Sequence, residues 1–335
     1  MHSRQHRLPD AAASDIERGH LILFSGSAHE ELALRIGNEL GLRLGLVERL
    51  RREDGEVYAR FGESVRGADV FLMQSCAPPT NDALVELLVM AQAARYASAK
   101  TVTAVLPWYP YARQDKIEVA GEPLSARLVA DLLGAAGIGR VVTVDLHVGQ
   151  IQGFARYPVD HISAVPLLAA RVAAIPHAHG QLVIVSPDTG GIDAARDVAG
   201  LLDASVAMIT KERPVQQAAR VTGLVGDVRG KTCLLIDDMI DTAGTLCAAG
   251  QAVRDHGASR VWACATHAVL SPPARERLAA SVFERIVVTD TLPVKPAQMP
   301  PNLEVVSVAG LLAATIRAIA REESVSGLPA PSSGR

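Results

Sequence analysis

The sequence holds 335 residues, 49% of them hydrophobic, and 33 Lys and Arg against 36 Asp and Glu leave a formal net charge of −3. That length suffices for two hydrophobic cores of ordinary domain size. The mixed charge gives no electrostatic reason to expect nucleic acid as a partner, and no apolar run approaches the ~20 uncharged residues of a membrane span.

Residues 1–19 read as a polar, flexible extension lacking the apolar centre of a secretory signal, and residues 323–335 read as a tail. Between them, short aliphatic runs alternate with Ala/Leu-rich segments. "HLILFSG" precedes "EELALRIGNELG", "DVFLMQS" precedes "NDALVELLVMAQAARYASA", and "KTVTAVLPW" leads through a loop to "LSARLVADLLGAAG" and then "RVVTVDLH". The pattern restarts with "LVIVSPDTGG" and "IDAARDVAGLLD". "ASVAMIT" leads into a long polar segment, and "TCLLIDD", "RVWACATH" and "ERIVVTD" each precede a helical stretch, the last near "VAGLLAATIRAIAREE". Buried-strand runs followed by helices with apolar spacings of three and four predict parallel sheets covered on both faces. The repeat predicts two tandem α/β domains, 20–163 and 164–322, joined around "DHISAVPLLAARVAAIPHAHG". Cys76, Cys233, Cys247 and Cys264 form no CxxC pair and read as small core residues. A soluble, cytoplasmic protein is expected.

In open parallel sheets, ligands bind beyond the carboxyl ends of the strands. At that edge "LLIDDMIDTAGT" ends an apolar run in Asp237 and Asp238, then adds Asp241, Thr242, Ala243, Gly244 and Thr245. Backbone N–H groups of residues 241–245 can wrap a phosphate at the positive end of the following helix. The paired carboxylates repel phosphate, so their partners are sugar hydroxyls or a Mg²⁺. A lone Asp-Asp would read as a capped turn; the attached Thr-Ala-Gly-Thr loop favours ligand binding. It is not a complete Walker A loop, and no GxGxxG follows the first strand. "SPDTGG" is a second oxyanion loop, where Gly190 and Gly191 free the backbone after Asp188 and Thr189 to address a pyrophosphate. "VDLHVGQ" places Asp145 and His147 at the same edge, where a structural histidine and a metal or phosphate ligand are comparable readings. Arg113, Gln114 and Lys116 of "RQDK" offer donors to a base or phosphate, though a solvated turn has the same appearance.

Together these segments resemble the ribose-phosphate pyrophosphokinase (phosphoribosyl pyrophosphate synthase) family, nearly colinearly from Leu21 to Leu328. The likeness is carried by "FSGSAHEELA", "ESVRGADVFLMQS", "ASAKTVTAVLPWYPYARQDK", "VDLHVGQIQGF", "VSPDTGG", "KERP", "LIDDMIDTAGTL" and "VVTDTLP". The resemblance implies two phosphoribosyltransferase-like domains and a Mg²⁺-dependent transfer of the β,γ-pyrophosphoryl group of ATP to O1 of ribose 5-phosphate, giving phosphoribosyl pyrophosphate (PRPP) and AMP. It implies that Asp237–Thr245 hold ribose 5-phosphate, that His147 and Asp188 serve Mg²⁺ and the ATP phosphates, and that Lys211 and Arg213 of "KERP" close over the transferring group. It also implies a homo-oligomer built from dimers that stack into hexamers, whose adenine site is completed by a neighbouring subunit.

Two departures from the family pattern stand out. The adenine segment Arg-Phe-x-Asp-Gly-Glu reads "RREDGE": Asp54 and Glu56 match, while Arg52 takes the aromatic position. After "RQDK", a usually basic run is replaced by "IEVAGEP", with Ile117, Val119 and Gly121. Weakened or absent ADP inhibition and phosphate activation are expected, although Ser64, Arg66 and "ESVSGL" still resemble parts of the regulatory surface. The alternative reading is a non-catalytic paralogue that binds nucleotide or a synthase partner.

Overall fold

The computed structural model describes residues 21–176, 181–188, 190–212 and 220–326. The chain begins β1 (Leu21–Ser25), α1 (Glu30–Leu40), β2 (Val47–Arg51), β3 (Val57–Phe61), β4 (Asp69–Met73), α2 (Thr80–Tyr96) and β5 (Thr101–Leu106). Next come α3 (Ser125–Ala135), β6 (Arg140–Val144), β7 (Val159–Ile162), α4 (Val165–Ala173), β8 (Leu182–Ser186) and α5 (Ile192–Leu202). β9 (Ser205–Glu212), β10 (Arg220–Val225), β11 (Thr232–Ile240), α6 (Gly244–Asp255), β12 (Arg260–Ala268) and α7 (Ala274–Ala279) follow. β13 (Arg285–Thr289), β14 (Leu303–Val306) and α8 (Ala309–Ala320) complete the fold. Among the described residues, no helix is long and apolar enough to cross a membrane.

Two compact units share these elements, and they interleave where the sequence reading placed one cut after residue 163. Within the described residues the first holds 21–143, 150–160 and 309–326, and the second 144–149 and 161–308.

In the first unit, β1, β4, β5 and β6 pair in parallel and the sheet order is β1-β4-β5-β6-β7. The central strands are continuous apolar runs: Val70–Met73 and Ala104–Leu106 are buried throughout. Helix α8, which follows the second set of strands in sequence, packs on α1 of this unit, and Arg317 Nη2 donates to Glu39 O at 2.8 Å. Its buried face is Leu311, Leu312, Thr315 and Ile316, at the three- and four-residue spacing of one helix side. The β2–β3 hairpin stands apart from the main sheet and packs on α2.

The second unit's sheet runs β10-β9-β8-β11-β12-β13-β14, parallel except for the β9–β10 pair. Strand alternation sorts its core into two layers. Val183, Val185, Cys233, Leu235, Val261 and Ala263 meet Leu246 and Val253 of α6 and Leu278 of α7. Leu182, Ile184, Leu234, Ile236, Trp262 and Cys264 meet Leu168 and Val172 of α4 and Val198 of α5 on the other face. Burial pushes the Cys233 and Cys264 thiols up to about 12, so they are inert packing residues.

This order contains a reversal. From β8 the chain builds outward through β9 and β10, then returns to lay β11 on the other side of β8 and continues through β14. The connections after β8 and β11 therefore leave on opposite sides of the sheet, and the crevice between their carboxyl ends is the topological switch point where open α/β sheets bind ligands. In the first unit, β1, β4, β5, β6 and β7 follow one another in chain order, with no such reversal.

Leu312 is fully buried on α8. Leu312→Ala is expected to lower the unfolding free energy by ~2–5 kcal/mol in a urea titration, since it leaves a cavity in the α8-facing core.

Candidate active site

The switch point is bounded by the two loops singled out in the sequence. β11 runs through Asp237 and Asp238 to Ile240, with Asp237 opposite Ala265 and Met239 opposite His267 of β12. The acids are thus held on a paired strand, more rigidly than on a turn. The chain then reverses through residues 241–243, with Ala243 in the left-handed region (φ 60°) immediately before α6. A left-handed residue at a helix start turns successive N–H groups toward one point, the geometry of an anion-binding nest. Arg277 of α7 braces this loop: its Nη1 donates to Thr242 O at 3.0 Å. A side chain at Gly244 would place Cβ 3.1 Å from the same Nη1, so glycine leaves room for the guanidinium as well as for backbone approach.

The second loop follows β8. Asp188 Oδ1 accepts from the N–H groups of Gly190 (3.0 Å) and Gly191 (3.3 Å), while Ser186 Oγ donates to Asp188 O at 2.6 Å. The two glycine donors converge on one anionic oxygen at the start of α5, the arrangement a pyrophosphate oxygen requires. Thr189 lies outside the described residues.

His147 joins Asp238. Its Nδ1 is 2.6 Å from Asp238 Oδ2. Burial acts to raise the Asp238 pKa, but the hydrogen bond and charge of His147 outweigh it and hold this carboxyl below the usual range. Asp238 is therefore the acceptor and Nδ1 carries the proton, which in a neutral ring makes Nε2 the lone-pair nitrogen. Asp237 behaves oppositely. Burial, then the charge of Asp238, with a smaller contribution from Asp188, pushes it up to about 8, and its Oδ1 accepts from Asp238 N at 3.0 Å. Two adjacent acids are thus driven into different protonation states by one edge. Such an edge favours a cation or sugar hydroxyls, since either relieves the crowding of negative charge.

Among the described residues, no three His, Cys, Asp or Glu side chains converge to hold a metal by themselves. Mg²⁺ takes hard oxygen donors, commonly one or two carboxylates completed by phosphate oxygens and water. The carboxylates of Asp188, Asp237 and Asp238 provide donors of that kind.

Sequence-identified residues of the first unit occupy two exposed turns. In the β2–β3 hairpin Arg52 N donates to Glu56 O (2.8 Å), Asp54 Oδ1 accepts from Glu56 N (3.0 Å), and the Arg52 guanidinium lies 5.7 Å from the centre of the Tyr58 ring. In the turn after β5, Gln114 Nε2 donates to Lys116 O (3.1 Å), Lys116 pairs with Glu118 at 2.7 Å, and Arg113 is exposed. Asp115 is buried and accepts from Gln150 Nε2 at 2.8 Å, which identifies it as the structural member of "RQDK". Lys211 lies in β9 with its backbone opposite Val221 of β10, and Arg213 falls outside the described residues.

Asp145 turns inward: its Oδ2 accepts from Thr266 Oγ1 (2.6 Å) and from Ala164 N (3.0 Å), a structural role. Sequence reasoning missed Arg277 and the fully buried His267, which donates from Nε2 to Asp145 O at 2.9 Å. A histidine ending the apolar run "RVWACAT" was the available signal for the latter.

The reversed sheet brings the small-residue nest and the acid pair to one ligand-binding edge of an α/β fold. A family model described as the N-terminal domain of ribose phosphate pyrophosphokinase matches residues 21–137, and one described as the phosphoribosyl synthetase-associated domain matches residues 202–329. A ribose-phosphate pyrophosphokinase of Nostoc sp. is 45% identical over 97% of this chain and 98% of its own. That of Mycobacterium leprae is 48% identical over 93% of this chain and 96% of its own. The crystal structure of phosphoribosylpyrophosphate synthetase from Mycobacterium smegmatis shares 47% identity and superposes with a TM-score of 0.86, covering 90% of this chain and 99% of that one. The chain belongs to the ribose-phosphate pyrophosphokinase family.

The split of the acid pair has a measurable consequence. With Asp237 raised to about 8 in the folded protein and near ~3.9 when unfolded, the folded state holds the extra proton across that interval. Stability of the ligand-free protein should therefore fall as pH rises from about 5 to about 8. Asp237→Asn, which keeps the Oδ1 acceptor, should flatten that slope in denaturant titrations at a series of pH values.

Proposed function

We propose that this chain forms PRPP from ribose 5-phosphate with ATP as diphosphate donor and Mg²⁺ as its cation. The observation that carries the assignment is the juxtaposition, at the switch point of one sheet, of the 241–245 nest with the Asp237–Asp238 pair. A sugar phosphate presents the complementary groups: a dianion at one end and hydroxyl donors along the ring.

In this reading the N–H groups of Asp241, Thr242, Ala243, Gly244 and Thr245 bind the 5-phosphate, and Asp237 and Asp238 accept from ring hydroxyls. Ribose O1 attacks the β-phosphorus of ATP, the bond from that phosphorus to the oxygen it shares with the α-phosphorus breaks, AMP leaves, and the O1 proton is released. The chain's contribution is positioning and charge neutralisation, as for phosphoryl transfer generally. The amides of Asp188, Thr189, Gly190 and Gly191 would hold pyrophosphate oxygens. His147 and Asp188 hold Mg²⁺, which when bound neutralises and orients the phosphates. Lys211 and Arg213 cover the transferring group. Arg52, Asp54, Glu56, Arg113, Gln114 and Lys116 are assigned to the nucleotide, with the Arg52 plane replacing an aromatic ring against the base.

Regulation follows from the turn after β5. Ile117 and Val119 are 60% and 55% exposed, and Lys116 is paired with Glu118, so this turn offers little net positive charge to phosphate or ADP. A homo-oligomer is proposed on exposed apolar side chains such as Leu128 and Leu132, one turn apart on α3. The cytoplasm, where free ATP and sugar phosphates occur, is the proposed location.

The test is production of AMP and PRPP in equal amounts from ATP, ribose 5-phosphate and Mg²⁺. Folded protein that yields neither would favour a nucleotide-binding paralogue. Asp238→Asn should cost on the order of 10²–10³ in kcat/KM, the range for removing one preorganised electrostatic contact. Arg277→Ala should act mainly on KM for ribose 5-phosphate, because it loosens the nest without touching the transferring group. Millimolar phosphate should leave turnover nearly unchanged and ADP should inhibit hyperbolically; strong phosphate activation with a sigmoidal ADP response would contradict the regulatory reading.

A further inference from the structure

His147 sits on a tripeptide whose links are all held from within the second unit. Asp145 has φ 34°, a left-handed conformation that a non-glycine residue adopts only where its surroundings compel it. Its N–H donates to Ile162 O (3.0 Å), and its Oδ2 takes the Thr266 hydroxyl and the Ala164 N–H. The next N–H, that of Leu146, donates to His161 Nε2 at 2.9 Å. The remaining group, Asp145 C=O, is met by His267.

His267 is 1% exposed, and burial shifts its pKa down, which favours the neutral ring. A carbonyl can only accept, so the 2.9 Å contact with Asp145 O assigns the proton to Nε2. Nδ1 is then an acceptor, served by Thr291 Oγ1 at 2.9 Å, while Thr289 Oγ1 donates to Thr266 O at 2.6 Å. The β12 residues 266 and 267 thus grip one residue twice, Thr266 at its carboxylate and His267 at its carbonyl. Two residues further on, His147 Nδ1 meets Asp238 Oδ2.

We propose that His267 and Thr266 are positioning residues that hold the strained Asp145 turn so that the His147 ring lies against Asp238. The inference deepens the reading of His147 as a site residue and rests on it for its functional consequence. Neither residue is required to touch substrate. Their effect reaches the chemistry only through the direction of the His147 ring, as outer-shell partners orient ligating histidines elsewhere.

The test uses the full-length enzyme and three variants. Thr266→Val keeps the side-chain shape and removes the hydroxyl. His267→Leu removes the Nε2 donor, and His267→Gln restores an N–H near the same place. The first readout is the His147 ring resonance in histidine-labelled protein at fixed pH, identified by its loss in His147→Ala. Thr266→Val and His267→Leu should shift it, and His267→Gln should return it toward the wild-type position. The second is kcat/KM, expected to fall about 10–100-fold in Thr266→Val and His267→Leu and to fall no further when either is combined with His147→Ala. An unmoved His147 resonance in folded Thr266→Val, or losses that multiply with that of His147→Ala, would overturn the proposal. If His267→Leu fails to fold, Thr266→Val carries both readouts. If His147→Ala turns over normally, the functional reading of His147 falls while the resonance still decides whether the turn is aimed from β12.

Discussion

The concentration of negative charge at the end of β11 is the constraint on which the site depends. Two carboxylates on consecutive residues of a paired strand cannot both be comfortably ionised where water is scarce. The fold divides the burden: Asp238 stays ionised against the His147 Nδ1 proton, while Asp237 is pushed toward its neutral form. This arrangement is costly to maintain without a ligand. The proposed sugar hydroxyls and divalent cation would supply donors and positive charge on binding.

The architecture explains why this edge carries the chemistry. The reversal between β8 and β11 sends α5 and α6 to opposite faces of the sheet and opens a crevice flanked by their N-termini. Each helix is preceded by a loop able to gather N–H donors, through the converging Gly190 and Gly191 amides at α5 and through left-handed Ala243 at α6. Positive N-termini beside a carboxylate pair give the second unit adjacent regions of opposite sign, the feature on which the proposed sugar-phosphate site rests. Arg277 and His267 act behind these loops, one bracing the phosphate nest and the other the turn that bears His147.

The sheets were legible because their central strands are buried on both faces. Runs such as "LILFS", "DVFLM", "TVTAVL" and "LVIVS" carry no polar alternation, and glycine and proline punctuate the loops at their carboxyl ends. Hairpin strands β2 and β3 went unread because "VERLR" and "VYARF" are half-exposed and charged, which resembles solvated turn sequence. β10 was absorbed into the polar segment after "ASVAMIT", and four-residue β14 is too short to show a period. Nothing local in α8 says that its apolar face meets α1, because that pairing is a long-range choice among equally apolar partners. The site divides similarly. Loops 186–191 and 237–245 are contiguous and carry their chemistry in order, whereas His267 reaches Asp145 across 122 positions and Arg277 reaches Thr242 across 35. A buried histidine in an apolar run and an arginine on a short exposed helix look like ordinary structure until the fold brings them to their partners.

The central claim is that the nest at residues 241–245 holds the phosphate of ribose 5-phosphate. Backbone amide spectra of the full chain, titrated with ribose 5-phosphate and with unphosphorylated ribose, address it directly. The account predicts large, saturable shifts of the Thr242, Ala243, Gly244 and Thr245 amides with the phosphorylated sugar alone. Saturable binding that leaves these four amides unmoved while shifting residues elsewhere would contradict it.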